Sequence, residues 1–258
     1  MVEKISILQG KGKNLTNDKV ERVDFYMGDI VSIVGPTGSG KTTLINDIEL
    51  FAEGNTPTQR TILLDDKPAS VAMPKSNPIA LITQHTNFLS DLPVMDFLLV
   101  HAKVRFSKQN KDRLIVEETL DFANQLTGEA IMPDCKMTEL SGGQTRALLI
   151  ADATIICQTP IVLLDEVENA GINRTKALEL LRGYRKIFIF VTHDPRIALL
   201  SDYRVVMEGG AIKNVLITSQ EERQCSEHVN AIDDYLTSLR EKIRKGLTLS
   251  LKDKEVVL

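Results

Sequence analysis

The sequence predicts an α/β fold around a mostly parallel sheet, and three observations carry that prediction. Fully apolar strand-like runs at 30–34, 79–83, 161–165 and 187–192 alternate with helical patterns. Such runs are almost wholly apolar because helices cover both faces of the sheet they build. The first run leads into Gly35-Pro36-Thr37-Gly38-Ser39-Gly40-Lys41-Thr42-Thr43, which fits the G-x-x-x-x-G-K-[ST] spacing of a phosphate-binding loop. A stretch of helix period, from about 85 to 155, then interrupts the sheet pattern as an insertion.

Taken in order, residues 5–8 and 20–27 read as strands, separated by the loop-forming Gly10, Gly12, Asn14 and Asn17-Asp18. Gly28-Asp29 forms a tight turn into the strand at 30–34. The phosphate loop opens the helical run Leu44-Ile45-Asn46-Asp47-Ile48. Glycines let the backbone curl until several N–H groups point into one concavity, and the helix adds the positive end of its dipole. In such a nest Lys41 reaches the β- and γ-phosphates of a nucleotide, and the Thr42 hydroxyl binds Mg²⁺. Residues 61–66 read as a short strand and turn, and Pro68, Pro74 and Pro78 mark an irregular approach to the strand that ends at Gln84. Apolar residues at three- and four-residue spacing predict helices over 94–104 and 113–126. After the strand at 161–165 come a helix around 174–183, the strand at 187–192, a hairpin over 205–212 and a polar amphipathic helix over about 220–245.

At 258 residues the chain can bury one sizeable core with a small appended subdomain. A net charge of -4 argues against a broad nucleic-acid-binding surface, so no nucleic-acid partner is expected. No apolar run approaches the ~18 residues that cross a bilayer. The first five residues alternate polar and apolar, without the apolar core of a signal peptide. Cys135, Cys157 and Cys225 are scattered, odd in number and form no C-x-x-C pair. They suggest neither a disulfide framework nor a zinc site, and they point to a reducing, cytoplasmic setting. Cys157, in an apolar helical stretch, reads as a core thiol.

A second motif narrows the chemistry. Leu140-Ser141-Gly142-Gly143-Gln144 precedes a helix expected to begin near Thr145, and its serine and glycines form another phosphate-facing helix start. Phosphate loop, Gln84, helical insertion, LSGGQ, an apolar strand ending Asp165-Glu166 and a strand ending at His193 follow one another in the order of an ATP-binding cassette (ABC) ATPase, which the chain resembles over residues 1 to about 218. The resemblance implies a P-loop NTPase core with an N-terminal antiparallel β subdomain. It also implies a domain over 1–218, a helical subdomain inserted in the core at about 85–155, and a C-terminal helical extension over 219–258. By the same resemblance two head-to-tail cassettes, here a homodimer, sandwich two ATP molecules. Ser141, Gly142, Gly143 and Gln144 of one cassette cap the γ-phosphate held by residues 35–43 of the other.

The remaining roles combine chemistry with that resemblance. Asp165, at the end of an apolar strand beside the phosphate loop, is placed to hold Mg²⁺ directly or through water, together with Thr42. Glu166 follows immediately and polarises the attacking water as general base. Gln84 resembles the family's Q-loop glutamine, which senses Mg²⁺ and the lytic water. His193 resembles the switch histidine, whose neutral imidazole donates to the γ-phosphate or orients Glu166 and water. His85, His101 and His228 have no such placement and read as ordinary polar positions; His85, beside Gln84, is the most open to another role.

The chain departs from the family pattern in three places. The upstream aromatic that stacks on adenine is missing from the window 8–14, and Phe25 and Tyr26 sit too close to the loop and read as packing in the sheet. Base stacking is worth about 1–3 kcal/mol, so weak discrimination between ATP and GTP is expected unless an aliphatic or cationic side chain substitutes. After Glu166 the family continues with proline and a Ser-Ala-Leu-Asp-like loop, whereas this chain reads Val167-Glu168-Asn169-Ala170-Gly171-Ile172-Asn173. Asn173 where Asp is expected alters the coupling between the two sites. The run from Thr145 to Asp152 also departs from the commoner Gln-Arg-rich version. Two functions fit. One is the ATPase subunit of a membrane transporter, docked by its helical insertion on transmembrane permease subunits and thereby held at the inner face of the membrane. The other is a non-transport cytoplasmic ABC ATPase that remodels or activates a protein or metallocofactor assembly.

Overall fold

Strands β1 (Lys4–Leu8), β2 (Arg22–Tyr26) and β3 (Ile30–Val34) come first and are followed by helix α1 (Lys41–Glu49). Next come β4 (Thr61–Leu64), β5 (Lys67–Pro68), α2 (Ala69–Ala72) and β6 (Ile79–Ile82), and then helices α3 (Val94–Phe106), α4 (Asp112–Leu126) and α5 (Gly142–Ala151). The chain continues through β7 (Ile161–Asp165), α6 (Arg174–Arg182), β8 (Ile187–Val191), α7 (Pro195–Leu200), β9 (Tyr203–Glu208), β10 (Ala211–Ile217) and α8 (Gln220–Arg244). The structure, a computed structural model, describes residues 2–72, 77–83, 85, 86, 88, 90–106, 112–165 and 174–249.

Two sheets form. A four-stranded antiparallel sheet has the order β2-β1-β4-β5, and a six-stranded sheet has the order β10-β9-β3-β8-β7-β6. In the larger sheet every neighbouring pair from β9 to β6 is parallel, and only β10 runs antiparallel, on β9. The expected parallel core with an antiparallel sheet from the first third of the chain is what the chain builds.

The central strands β6, β7 and β8 are almost wholly apolar because both faces are covered, and the period of two distributes the side chains. Ile161 and Leu163 of β7 and Ile187 and Ile189 of β8 pack with Leu44, Ile45 and Ile48 of α1 and with Ile5, Ile7 and Ile62 of the antiparallel sheet. The alternate residues, Val162, Leu164, Phe188 and Phe190, pack on the opposite face with Leu98, Leu120, Leu148 and Leu178 of the helices. Each such side chain contributes roughly 1.5–3 kcal/mol by leaving water. Between β4 and β5, Asp65 and Asp66 take φ values of 48° and 64°, as the two-residue turn of a tight hairpin requires. The Asp65 carboxylate then accepts the backbone N–H groups of Glu3 and Lys4, which ties the hairpin to β1.

Three details differ from the sequence reading. Helix α5 starts at Gly142 rather than near Thr145, because Ser141 and Gln144 form a reciprocal cap: the Ser141 hydroxyl accepts the Gln144 N–H at 3.3 Å and the Gln144 side chain accepts the Ser141 N–H at 2.9 Å. Tyr26 does not pack in the sheet. Adjacent strand residues point to opposite faces, so Phe25 is 1% exposed while Tyr26 is 51% exposed, with the Lys4 ammonium 5.9 Å from its ring centre. Helix α7, absent from the sequence reading, starts where Asp194 caps the Arg196 N–H at 2.8 Å and Pro195 takes the first helical position. Among the described residues no helix is long and apolar enough to cross a membrane.

Candidate functional site

Because β3, β8, β7 and β6 are parallel, their carboxyl ends open on one edge, the edge where α/β sheets bind ligands. The register is specific: Ile33 of β3 pairs with Val191 of β8, and Val191 pairs with Asp165 of β7. Asp165 therefore stands level with Ile33 and Val191, and Gly35 and His193 follow two residues beyond that pair on their own strands. Asp165 is not on the strand next to the phosphate loop, however; β8 lies between, and it is β8 that brings in His193.

The loop itself is a strand–turn–helix, with Gly40 in the left-handed region at φ 96° as the N-cap of α1. Any side chain at Gly40 would be strained there and would also bring a Cβ to 2.8 Å from the Cα of Gly210, in the turn between β9 and β10. Lys41 is buried, and its ammonium donates to the Gly35 carbonyl at 2.9 Å and the Pro36 carbonyl at 3.2 Å. The Ser39 hydroxyl is also buried, at 3% exposure, and has no hydrogen-bond partner among the described residues. A buried lysine and an unsatisfied hydroxyl on one glycine-rich loop fit a polyphosphate ligand, since buried polar atoms otherwise find partners. Pro36, Thr37, Gly38, Thr42 and Thr43 are exposed, so the loop opens to solvent.

Asp165 is half-buried and His193 exposed. The turn after His193 is fixed by Asp194, whose backbone N–H donates to the Thr192 hydroxyl at 2.8 Å, and by Arg196, which pairs with Asp194 and with Asp233 of α8. Gln84, Glu166 and the run Val167 to Asn173 lie outside the described residues. In the LSGGQ segment Ser141 and Gly142 are exposed at the start of α5 while the body of the helix is buried. The Gln144 amide donates to the Ala130 carbonyl at 3.1 Å, so with its role in the cap this side chain holds the segment in shape.

Two polar clusters escaped the sequence reading. Arg60 is fully buried and donates to Asp18, to Asp47 of α1 and to the Gly210 carbonyl, directly behind the phosphate loop. No spacing signal announces it. The second involves His101, read from the sequence as an ordinary polar position: its Nδ1 stands 2.9 Å from Asp152 Oδ1. Residues 152–156 after α5 wind as a π-helix, and the Cys157 N–H bonds the Asp152 carbonyl at 2.8 Å. That wider turn brings Asp152 and Cys157 to one side, where the thiol donates to Asp152 Oδ2 at 3.6 Å. Cys157 is thus half-buried in a polar setting rather than a core thiol. Burial and the Asp152 charge push the thiol up to about 12, against the pull of Arg105 and Lys186. The donor atoms of His101, Asp152 and Cys157 all lie within 4.8 Å of one another, with Asp152 bonded to both neighbours.

The family model for ABC transporters matches residues 20–169, more than half of the chain. An uncharacterized ABC transporter ATP-binding protein of Methanocaldococcus jannaschii is 46% identical over 255 residues, covering 98% of this chain and 97% of that protein. A sulfate/thiosulfate import ATP-binding protein of Rhizobium meliloti is 34% identical over 205 residues, which cover 75% of this chain and 53% of that protein. This chain therefore matches only about half the length of that importer subunit. Among solved structures, an ATP-binding cassette in a dimeric post-hydrolysis state with ADP and phosphate matches with a TM-score of 0.60 at 21% identity, over 83% of this chain and 99% of that one. CbiO1 from Clostridium perfringens, part of a transporter complex, matches with a TM-score of 0.61 at 20% identity, over 90% and 95% of the two chains. At those identities the likeness speaks for the fold, and the near full-length relative speaks for the family. Sheet order, loop geometry and sequence kinship converge: the chain belongs to the ABC transporter family, among its ATP-binding proteins.

Proposed function

We propose that this chain binds MgATP and hydrolyses it to drive a membrane transporter, working as a homodimer on permease subunits at the inner face of the membrane. The observation that carries the reading is the register just described, which gathers the phosphate loop, Asp165 and His193 on one edge of one parallel sheet. The near full-length kinship to an ABC transporter ATP-binding protein supports the transporter over the remodelling alternative. The dimeric state of a solved cassette of the same fold supports the paired arrangement.

In this reading residues 35–43 cradle the phosphates and Lys41 donates to their β and γ oxygens. Thr42, Gln84 and Asp165 hold Mg²⁺, which when bound neutralises charge on the transferring phosphoryl group. Glu166 takes a proton from water as the water oxygen bonds to the terminal phosphorus and the bond to the bridging oxygen breaks, leaving ADP and phosphate. His193 and Gln84 orient that water and the terminal phosphate. Ser141, Gly142, Gly143 and Gln144 of one protomer close over the nucleotide of its partner, using the positive start of α5. Residues 1–218 are the cassette, residues 85–155 its docking subdomain, and residues 219–258 an extension beyond it.

Glu166→Gln tests the chemistry. ATP binding should persist while turnover falls by about 10²–10⁴-fold, the usual worth of a general base. The variant should also accumulate as an ATP-bound dimer in size-exclusion chromatography. Hydrolysis near the wild-type rate would remove Glu166 from the base role. Integral membrane proteins should co-purify with the chain from its native cells; recovery of soluble enzymes alone would favour the remodelling class.

A further inference from the structure

Behind the phosphate loop, three chain segments are clamped together by the buried Arg60. Its Nε and Nη2 donate to Asp18 Oδ2 and Oδ1 at 2.9 and 2.8 Å, its Nη1 to Asp47 Oδ2 at 3.1 Å, and its Nη2 to the Gly210 carbonyl at 2.8 Å. The acceptors lie on the loop 10–18, on α1 and on the turn between β9 and β10. Asp18 also accepts the N–H groups of Gly10 at 2.9 Å and Ile212 at 2.6 Å, so its carboxylate is saturated. The same turn donates the Gly210 N–H to the Ser39 carbonyl at 2.8 Å and accepts the Lys13 N–H at the Gly209 carbonyl, also at 2.8 Å. Gly12 lies so close to this turn that a Cβ there would stand 2.5 Å from the Ala211 nitrogen. Loop, turn and phosphate loop are thereby locked in one arrangement.

That arrangement places Lys13 at the crown of the phosphate loop, its Nζ 2.9 Å from the Gly38 carbonyl. Gly38 adjoins Ser39, the residue with the unsatisfied buried hydroxyl. We propose that Lys13 is a second nucleotide-binding cation, meeting the polyphosphate from outside the loop while Lys41 meets it from within, and that Arg60 is the positioning residue that seats it. The proposal rests on residues 35–43 being the nucleotide site. An ammonium is a point charge that reads charge rather than ring shape. Affinity drawn from Lys13 is therefore indifferent to the base, in keeping with the weak discrimination between ATP and GTP expected of a window without an aromatic.

Calorimetric titration of Lys13→Gln with MgATP, MgGTP and magnesium tripolyphosphate tests this. The position is exposed, so the fold should persist. The expected result is a rise in Kd of about tenfold for all three ligands, equivalent to ~1.4 kcal/mol. The dependence on salt should also flatten, because a screened charge has been removed. Lys13→Arg should stay near the wild-type affinity. Unchanged Kd values overturn the proposal, as does a loss restricted to one base, a loss for nucleotides but not tripolyphosphate, or a wild-type chain that fails to bind tripolyphosphate. Lys41→Ala separates the two readings: if it binds nucleotide as wild type does, the site itself is wrong. If it loses binding while Lys13→Gln keeps full affinity, only the role of Lys13 falls.

Discussion

Arg60 behind the phosphate loop and Asp152 among the helices both keep charge in the interior, yet they are provided for very differently. Burial opposes the Arg60 charge, but hydrogen bonds and attraction from Asp18 and then Asp47 outweigh it, and a guanidinium has no neutral form to retreat to. The chain therefore gives it three acceptors from three segments. Around Asp152 the partners can change their protonation. His101 is partly exposed, the Cys157 thiol stays neutral, and nearby Lys186 is lowered to about 8 by burial. Permanent charge demands a complete set of partners, whereas titratable charge tolerates a partial one. The complete set is found on the side of the molecule that holds the phosphate loop.

The largest effect should come from breaking the complete set. Arg60→Met leaves the Asp18 and Asp47 carboxylates buried without their counter-ion, which costs about 3–5 kcal/mol. Urea unfolding at neutral pH measures it as a drop in the midpoint. A loss under about 1 kcal/mol, the worth of an exposed pair, would erase the distinction between the two clusters.

This contrast also explains what could be read before the structure. The central strands are legible because burial on both faces makes 161–164 and 187–191 apolar at every position. Gly35 to Thr43 and Leu140 to Gln144 are legible because phosphate-facing backbone constrains consecutive residues. Arg60 is not, since Asp47 lies 13 and Asp18 lies 42 positions away, and only tertiary pairing brings them together. His101 and Asp152 are 51 positions apart and meet through a π-turn that no hydrophobic period reports. The start of α5 differs from its sequence expectation for another reason: paired glycines argue locally for a loop, but the Ser141–Gln144 cap outweighs their low propensity.

A smaller effect of opposite sign should come from Lys186, whose ammonium donates to the Thr159 carbonyl at 2.9 Å. Burial lowers its folded pKa from 10.5 to about 8. Between those values the unfolded chain binds more protons, so stability rises with pH across that window and the native state carries its full penalty below it. Lys186→Met should therefore stabilise the protein at neutral pH, by roughly 1–2 kcal/mol after the lost hydrogen bond is counted. Melting temperatures at pH values spanning 8 to 10.5 check the sign, because the gain must shrink as pH rises. A variant less stable than wild type at neutral pH would mean that the bond to Thr159 outweighs desolvation.

The smallest effect belongs to the His101–Asp152 pair. The hydrogen bond to Asp152 raises the His101 pKa above 6.5 and outweighs the burial that would lower it. A group whose folded pKa is raised contributes stability that is fully present below its unfolded value and is lost as pH climbs through the folded one. With the His101 side chain 42% exposed, solvent screening holds the contribution under about 1 kcal/mol. Asp152→Asn should therefore cost most at mildly acid pH and little at mildly alkaline pH, the reverse of the trend for Lys186. An NMR titration reads the pair directly: the His101 midpoint should fall toward 6.5 in the variant. A midpoint that stays put would show that Asp152 does not hold the imidazole, and the second cluster would then be no cluster at all.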